Sequence, residues 1–177
     1  MNLPFLRTDR LDLVLESTEA VLARIAAMPP ADQAEVSPAW LARLRALPAP
    51  APWSHGFRLV ERSTGIEVGS CGYKGPPDAD GIIEIAYGVA PAHQRRGYAR
   101  EAARALSDFA LGPGGAVCVR AHTRRDNAAS ERVLVACGFT CVGELIDPED
   151  GAVNQWELRA TRGGVTDPTP PRMTTSG

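Results

Sequence analysis

The six residues Gln94-Arg95-Arg96-Gly97-Tyr98-Ala99 constrain this chain more than any other stretch, because they stand between an apolar strand and an alanine-rich helix. The strand reads Ile82-Ile83-Glu84-Ile85-Ala86-Tyr87-Gly88-Val89, and helical spacing puts Ala99, Ala102, Ala103, Leu106 and Ala110 on one face of a helix over 98–111. Such a junction leaves the first-turn amides without intrahelical acceptors, at a helix end carrying roughly half an elementary positive charge. Gly97 has no side chain to keep phosphate oxygens off the backbone, and Arg95 and Arg96 add mobile cations. The stretch reads as a cradle for a pyrophosphate.

The same residues resemble the Q/R-x-x-G-x-G/A signature of the GNAT superfamily of acetyl-CoA-dependent N-acetyltransferases, with Ala99 in the permitted last position. Two distant blocks extend the resemblance. Leu6-Arg7-Thr8-Asp9-Arg10-Leu11-Asp12-Leu13 is similar to the opening strand of the branch containing the ribosomal-protein alanine N-acetyltransferases, and Asp126 to Leu134 with Cys137-Gly138-Phe139 is similar to its closing helix. The resemblance spans most of residues 6–159. It implies an α/β (α+β) single-domain fold, with a central mixed, mostly antiparallel twisted sheet of about six to seven strands flanked by about four helices. It also implies acetyl-CoA as acyl-donor cosubstrate, held by Gln94, Arg95, Arg96, Gly97, Tyr98 and Ala99, and direct attack by a primary amine in a ternary complex. In this picture the central strand splays from the next one, a backbone amide near Val89 polarises the thioester carbonyl, Asn127 contacts the pantetheine arm and Ser130 lies near the sulfur. The implied acceptor is a protein N-terminus or a small-molecule amine.

Bulk properties fit one acetyltransferase domain over 1–161 with a flexible tail at 162–177, where Gly, Thr, Pro and Ser dominate the 177-residue chain's end. A net charge of −2 argues against nucleic acid and anionic membranes as partners, and no apolar run reaches the ~20 residues of a bilayer span. Without a basic-then-apolar leader, a cytoplasmic location is expected. Self-association as a homodimer stays open. Cys71, Cys118, Cys137 and Cys141 read as reduced thiols, and no second C-x-x-C or paired histidine completes a metal site, so no metal is expected.

Along the chain, Leu11 to Leu15 alternates as a strand, a helix capped by Ser17 or Thr18 runs to about Met28, and a second spans Ala39 to Leu47. Strands are expected over Phe57–Glu61, Ile66–Tyr73, Ala116–Ala121, Phe139–Ile146 and Ala152–Arg159. Gly112-Pro113-Gly114-Gly115 follows a helix and precedes a strand, which makes it a turn and not a dinucleotide loop.

Alternation puts Ile83, Ile85, Tyr87 and Val89 on one face of the central strand and Glu84 on the other, with Ile82, Ala86 and Gly88. Glu84 is either a solvated strand residue or a catalytic base, acting directly or through water. A base is needed because a lysine-type amine, with pKa ~10.4, is almost wholly protonated at pH 7, and only the neutral amine attacks. The apolar neighbours Ile82 and Ile85 are expected to desolvate that carboxylate. Asn127 suits a helix N-cap as well as a cofactor contact. Ser130 is the candidate acid or hydrogen-bond donor for the leaving thiolate, or a support for its own helix; many relatives use a tyrosine, which this helix lacks. His122, expected just after its strand, is either a proton relay or a strand cap. Trp40, Trp53, His55 and Trp156 are acceptor-pocket or core residues, and Asp78 and Asp80 form an acidic lip or an ordinary turn. An acyl-CoA sensor without turnover and a protein-binding adaptor are the alternative classes.

Overall fold

Leucines at alternate positions open the sheet, but not as the single strand expected over Leu6–Leu13. The computed structural model, which describes residues 5–148 and 151–160, folds that block into a tight hairpin. Strand β1 (Leu6–Arg7) turns at Thr8-Asp9-Arg10 and returns as β2 (Leu11–Leu15), with Leu6 opposite Leu13. Thr8 closes the turn: its N–H donates to Leu11 O at 2.9 Å and its hydroxyl oxygen accepts from Leu11 N–H at 3.0 Å. The expected tail over 162–177 lies outside the described residues.

Helix α1 (Thr18–Ala26) is capped by Ser17, whose Oγ accepts from Ala20 N–H at 3.1 Å, and stops two residues short of Met28. Helix α2 (Pro30–Glu35) was not expected; proline at its first position, where an N–H would have no intrahelical acceptor, starts it. Helix α3 (Pro38–Ala46) is capped by Ser37. Strands β3 (Phe57–Glu61) and β4 (Glu67–Tyr73) form a hairpin, and β5 (Ile82–Val89) leads through a single 3-10 turn at Pro91–His93 into α4 (Tyr98–Leu111). Strand β6 (Cys118–Arg124), α5 (Ala128–Ala136), β7 (Thr140–Asp147) and β8 (Gly151–Arg159) complete the described fold.

The eight strands lie in the order β1-β2-β3-β4-β5-β6-β8-β7, one or two more than expected. Every pair is antiparallel except β5 with β6, which joins only Ile82, Ile83 and Glu84 to Cys118, Val119 and Arg120. The upper half of β5 instead pairs with β4, from Ile85 opposite Tyr73 to Val89 opposite Gly69. Beyond Glu84, therefore, β5 and β6 part and the sheet opens into a notch.

One face of the sheet carries the core. Leu11, Leu13, Phe57, Leu59, Ile83 and Ile85 pack with the buried stripe Tyr98, Ala102, Ala103, Leu106 and Ala110 of α4. The small side chains let α4 lie close, and Tyr73 of β4 donates to Leu106 O at 2.7 Å. Burial of Leu106 alone is worth roughly 2 kcal/mol. Because α4 is clamped along its length, its N-terminus is held at the top of β5. Among the described residues, no helix is long and apolar enough to cross a membrane.

Candidate active site

The loop between β5 and α4 has the backbone of an anion cradle. Arg95 (φ 63°) and Gly97 (φ 85°) are both left-handed, a conformation that turns neighbouring N–H groups toward a common concavity and costs a non-glycine residue about 1 kcal/mol. Gly97 is the N-cap of α4 and offers no side chain to cap it; the first helical bond runs from Glu101 N–H to Gly97 O at 3.1 Å. The amides of residues 98–100 are thus the open donors of the first turn.

These residues edge a cavity of about 690 Å³ bounded on one side by Val89, Gln94, Arg95, Gly97 and Ala99, and on the other by Asn127, Ser130 and Val133 of the α5 segment. Gln94 fixes the loop, its amide donating to Val89 O at 3.0 Å. Tyr98 lines the cavity too, but its hydroxyl is held by Glu61 and Arg10 lies over its ring, 5.0 Å from the centroid. Arg96 does not line it: its guanidinium reaches back to Ala92 O at 3.4 Å, and its carbonyl accepts from Arg10.

The phase of β5 sets what faces the notch. Lys74 N–H donates to Glu84 O and Ala90 N–H to Val68 O, so even-numbered residues of β5 exchange bonds with β4. The amides of Tyr87 and Val89 point the other way, toward the side that β6 has left. On the cavity side, the Tyr87 hydroxyl lies 2.9 Å from Ser130 Oγ and 3.4 Å from Ser130 O. Burial pushes the Tyr87 phenol up to about 12, with the Ser130 bond opposing, so the hydroxyl stays protonated. Asn127 caps α5, its Oδ1 accepting from Ser130 N–H at 3.1 Å, and so orients the serine. Helix α5 has no tyrosine of its own, as its sequence shows, and β5 brings one to Ser130.

On the opposite face, Glu84 is not in the apolar setting expected. Ile85 is buried on the core side of the strand, and the Glu84 Oε1 oxygen instead meets Lys74 Nζ at 2.7 Å and His122 Nδ1 at 3.0 Å. His122 lies inside β6, not after it, because that strand runs three residues beyond the expected Ala121 and stays paired with β8. Its Nε2 is 3.5 Å from Gln155 Oε1. Arg120, opposite Glu84 in register, is turned to the buried Glu157 at 2.7 Å. That bond, followed by a second from Arg159, holds the Glu157 carboxyl below its usual range despite burial.

Most of the remaining candidates make structural contacts. Trp53 packs on Tyr73 and Phe109, and Trp156 is buried with its Nε1–H donating to Thr123 Oγ1 at 2.9 Å. His55 is buried between Thr18 Oγ1 and Ala51 N–H, and burial lowers its pKa. Asp78 accepts from the N–H groups of Asp80 and Ile82, as a turn residue does. Trp40 is half-buried on α3. All four cysteines are free thiols, with Cys71, Cys118 and Cys137 buried.

A model of the acetyltransferase (GNAT) domain matches residues 3–140, most of the chain, and the protein belongs to that family. Among curated proteins it is 38% identical over 81 residues to the uncharacterized N-acetyltransferase YjdG of Bacillus subtilis; the match covers 46% of this chain and 48% of that protein, about half its length. Its fold is shared with the ribosomal-protein-S5-alanine acetyltransferase of Vibrio fischeri (TM-score 0.65, 16% identity, 89% of this chain and 97% of that one). It is also shared with the spermidine N-acetyltransferase of Vibrio cholerae in complex with CoA and spermine (TM-score 0.53, 17% identity, 60% and 65%).

Proposed function

We propose that the protein transfers the acetyl group of acetyl-CoA to a primary amine by direct attack in a ternary complex. The observation that carries this reading is the notch. One carboxylate–imidazole pair and one hydroxyl pair stand on opposite faces of the same strand, at the point where the sheet opens beside the cradle. A cofactor-binding sensor or an adaptor would need the cradle or the surface, but not both pairs.

The cradle amides and Arg95 take the pyrophosphate, and the thioester lies along the upper half of β5, where the Val89 N–H meets its carbonyl oxygen. The amine nitrogen attacks the carbonyl carbon. Its proton passes to Glu84, directly or through one water, and on to His122, which stands 3.0 Å away. As the C–S bond breaks, charge develops on sulfur. Burial keeps the Tyr87 phenol protonated, so its O–H is present as a donor. Tyr87 and Ser130 therefore act as hydrogen-bond donors that stabilise the thiolate, which takes its proton from water. The acceptor is a protein N-terminus or a small-molecule amine; two proteins that share the fold are named for a ribosomal-protein alanine and for spermidine.

Thiol release from acetyl-CoA, followed across a panel of peptides and small amines, tests the proposal. Release that depends on one acceptor class is the expected result. CoA binding with no release on any amine would leave a sensor in its place.

A further inference from the structure

The turn between β1 and β2 reaches the cradle from behind. Glu101, in the first turn of α4, accepts at Oε1 from Thr8 Oγ1 and from Arg10 N–H at 2.8 Å, and at Oε2 from Arg10 Nε at 2.9 Å, with Arg10 Nη2 2.8 Å from that same Oε2. The third guanidinium nitrogen, Nη1, donates to Arg96 O at 2.8 Å. We propose that Arg10 is a positioning residue for the pyrophosphate site, aiming the Gly97 amide into the cavity by holding the Arg96 carbonyl on the far side of the loop.

The reasoning is that of a planar peptide. In a trans peptide unit the carbonyl oxygen and the next N–H point in opposite directions, and no peptide bond among the described residues is cis. With Arg96 O drawn toward Arg10, the N–H of Gly97 is directed away from it. Gly97 contacts Arg10 on one side, where a Cβ would come within 3.2 Å of Nη2, and lines the cavity on the other. Arg95 is left-handed despite its side chain, a conformation that persists only where the surroundings hold it, and the bond from Arg10 to Arg96 O is one such hold.

Arginine suits the task because one rigid fork bridges a carboxylate and a carbonyl at once. Burial pushes the Glu101 carboxyl up, but the bonds from Thr8 and Arg10 outweigh it and hold the group ionised below its usual range. Since Glu101 balances the charge of Arg10, the contribution to anion binding is orientation and not added positive field.

The inference rests on the cradle's binding acetyl-CoA, and two donors separate the two claims. Parent, Arg10→Ala and Arg10→Lys are compared for CoA affinity by calorimetry and for kcat and KM with acetyl-CoA and with S-acetylpantetheine, which lacks the pyrophosphate. Arg10→Ala is expected to weaken CoA and raise the acetyl-CoA KM by about tenfold, as for a lost charged hydrogen bond, with kcat changed less than twofold. kcat/KM on S-acetylpantetheine should stay at the parent value. Arg10→Lys, with one point of attachment, should fall between parent and alanine, and carries the test if the alanine variant fails to fold. Unchanged CoA affinity in the folded variants, or an equal loss on both donors, overturns the role of Arg10. A parent that binds no CoA overturns the proposed function instead.

Discussion

The two faces of β5 are built by different means. The donor side is main chain: a strand end, a left-handed turn and a helix terminus within residues 89–99, to which Asn127 and Ser130 are added from α5. The acceptor side is side chain: Glu84, His122 and Gln155 come from three different strands and Lys74 from the residue just after β4, and they meet only because the registers of β4, β5, β6 and β8 agree. A backbone site is sensitive to shape and φ, with its losses read in binding. A side-chain site is sensitive to single atoms, with its losses read in turnover.

The sharpest way to break that contrast is Glu84→Gln, which keeps shape but cannot accept a proton. Turnover should fall by roughly a hundredfold or more while CoA affinity stays at the parent value. The defect should shrink as pH nears the acceptor's own pKa, where solvent supplies neutral amine; steady-state rates over pH with one confirmed acceptor measure both. A loss of equal size at every pH, once acceptor ionisation is corrected for, would assign Glu84 to positioning.

Gly97→Val probes the other face. A β-branched residue at φ 85°, with its Cβ 3.2 Å from Arg10 Nη2, strains the turn and pushes Arg10 off the Arg96 carbonyl that it holds. About thirtyfold weaker CoA binding by calorimetry is expected, with the melting temperature nearly retained. Equal affinity would remove the case for the cradle.

Tyr87→Phe and Ser130→Ala each test a smaller effect, about tenfold in turnover with little change in CoA affinity. Because the two hydroxyls are 2.9 Å apart, the double variant should lose little more than either alone. Multiplicative losses would mean that they act separately.

The smallest effect concerns the backing of the cradle. A carboxyl whose pKa is lowered by folding stabilises the folded state above its ordinary value, ~4.3, and that contribution fades as pH falls through the lower folded value. Glu101→Gln should therefore cost about 1 kcal/mol at pH 7 in urea unfolding, and the gap to the parent should close below pH ~4. A gap that persists in acid would show that packing, and not charge, is lost.

What could be read from the sequence follows the same division. The cradle is contiguous, so spacing alone places Gly97 at a helix start, and alternation assigns the faces of β5. That alternation already separates Ile85 from Glu84, so of the two apolar neighbours only Ile82 shares the carboxylate's face. It likewise puts Tyr87 in phase with Val89, facing the notch. The placing of Lys74, just after β4, and of His122, within β6, beside Glu84 is not legible in the sequence, because register across β4, β5 and β6 is set by long-range pairing. Ala116 to Ala121 alternates just as Cys118 to Arg124 does, and only the tertiary structure leaves Val117 exposed before the strand begins. The β1–β2 turn was hidden for a different reason: Leu6 to Leu13 has strand composition throughout, and the break at Thr8 shows in hydrogen bonds that close locally and across the chain to Glu101.

The seam of three residue pairs between β5 and β6 has a kinetic consequence. The β2–β3–β4–β5 pairs and the β7–β8 pair can all form antiparallel, and three of these connections are short, whereas the parallel seam must wait for α4 to cross over and dock. We expect the seam to be the last part of the sheet to set and the first to open. Amides of Cys118 to Arg120 facing β5 should then exchange with deuterium ahead of those in β3 and β4, a sequence of opening that native-state hydrogen exchange would resolve.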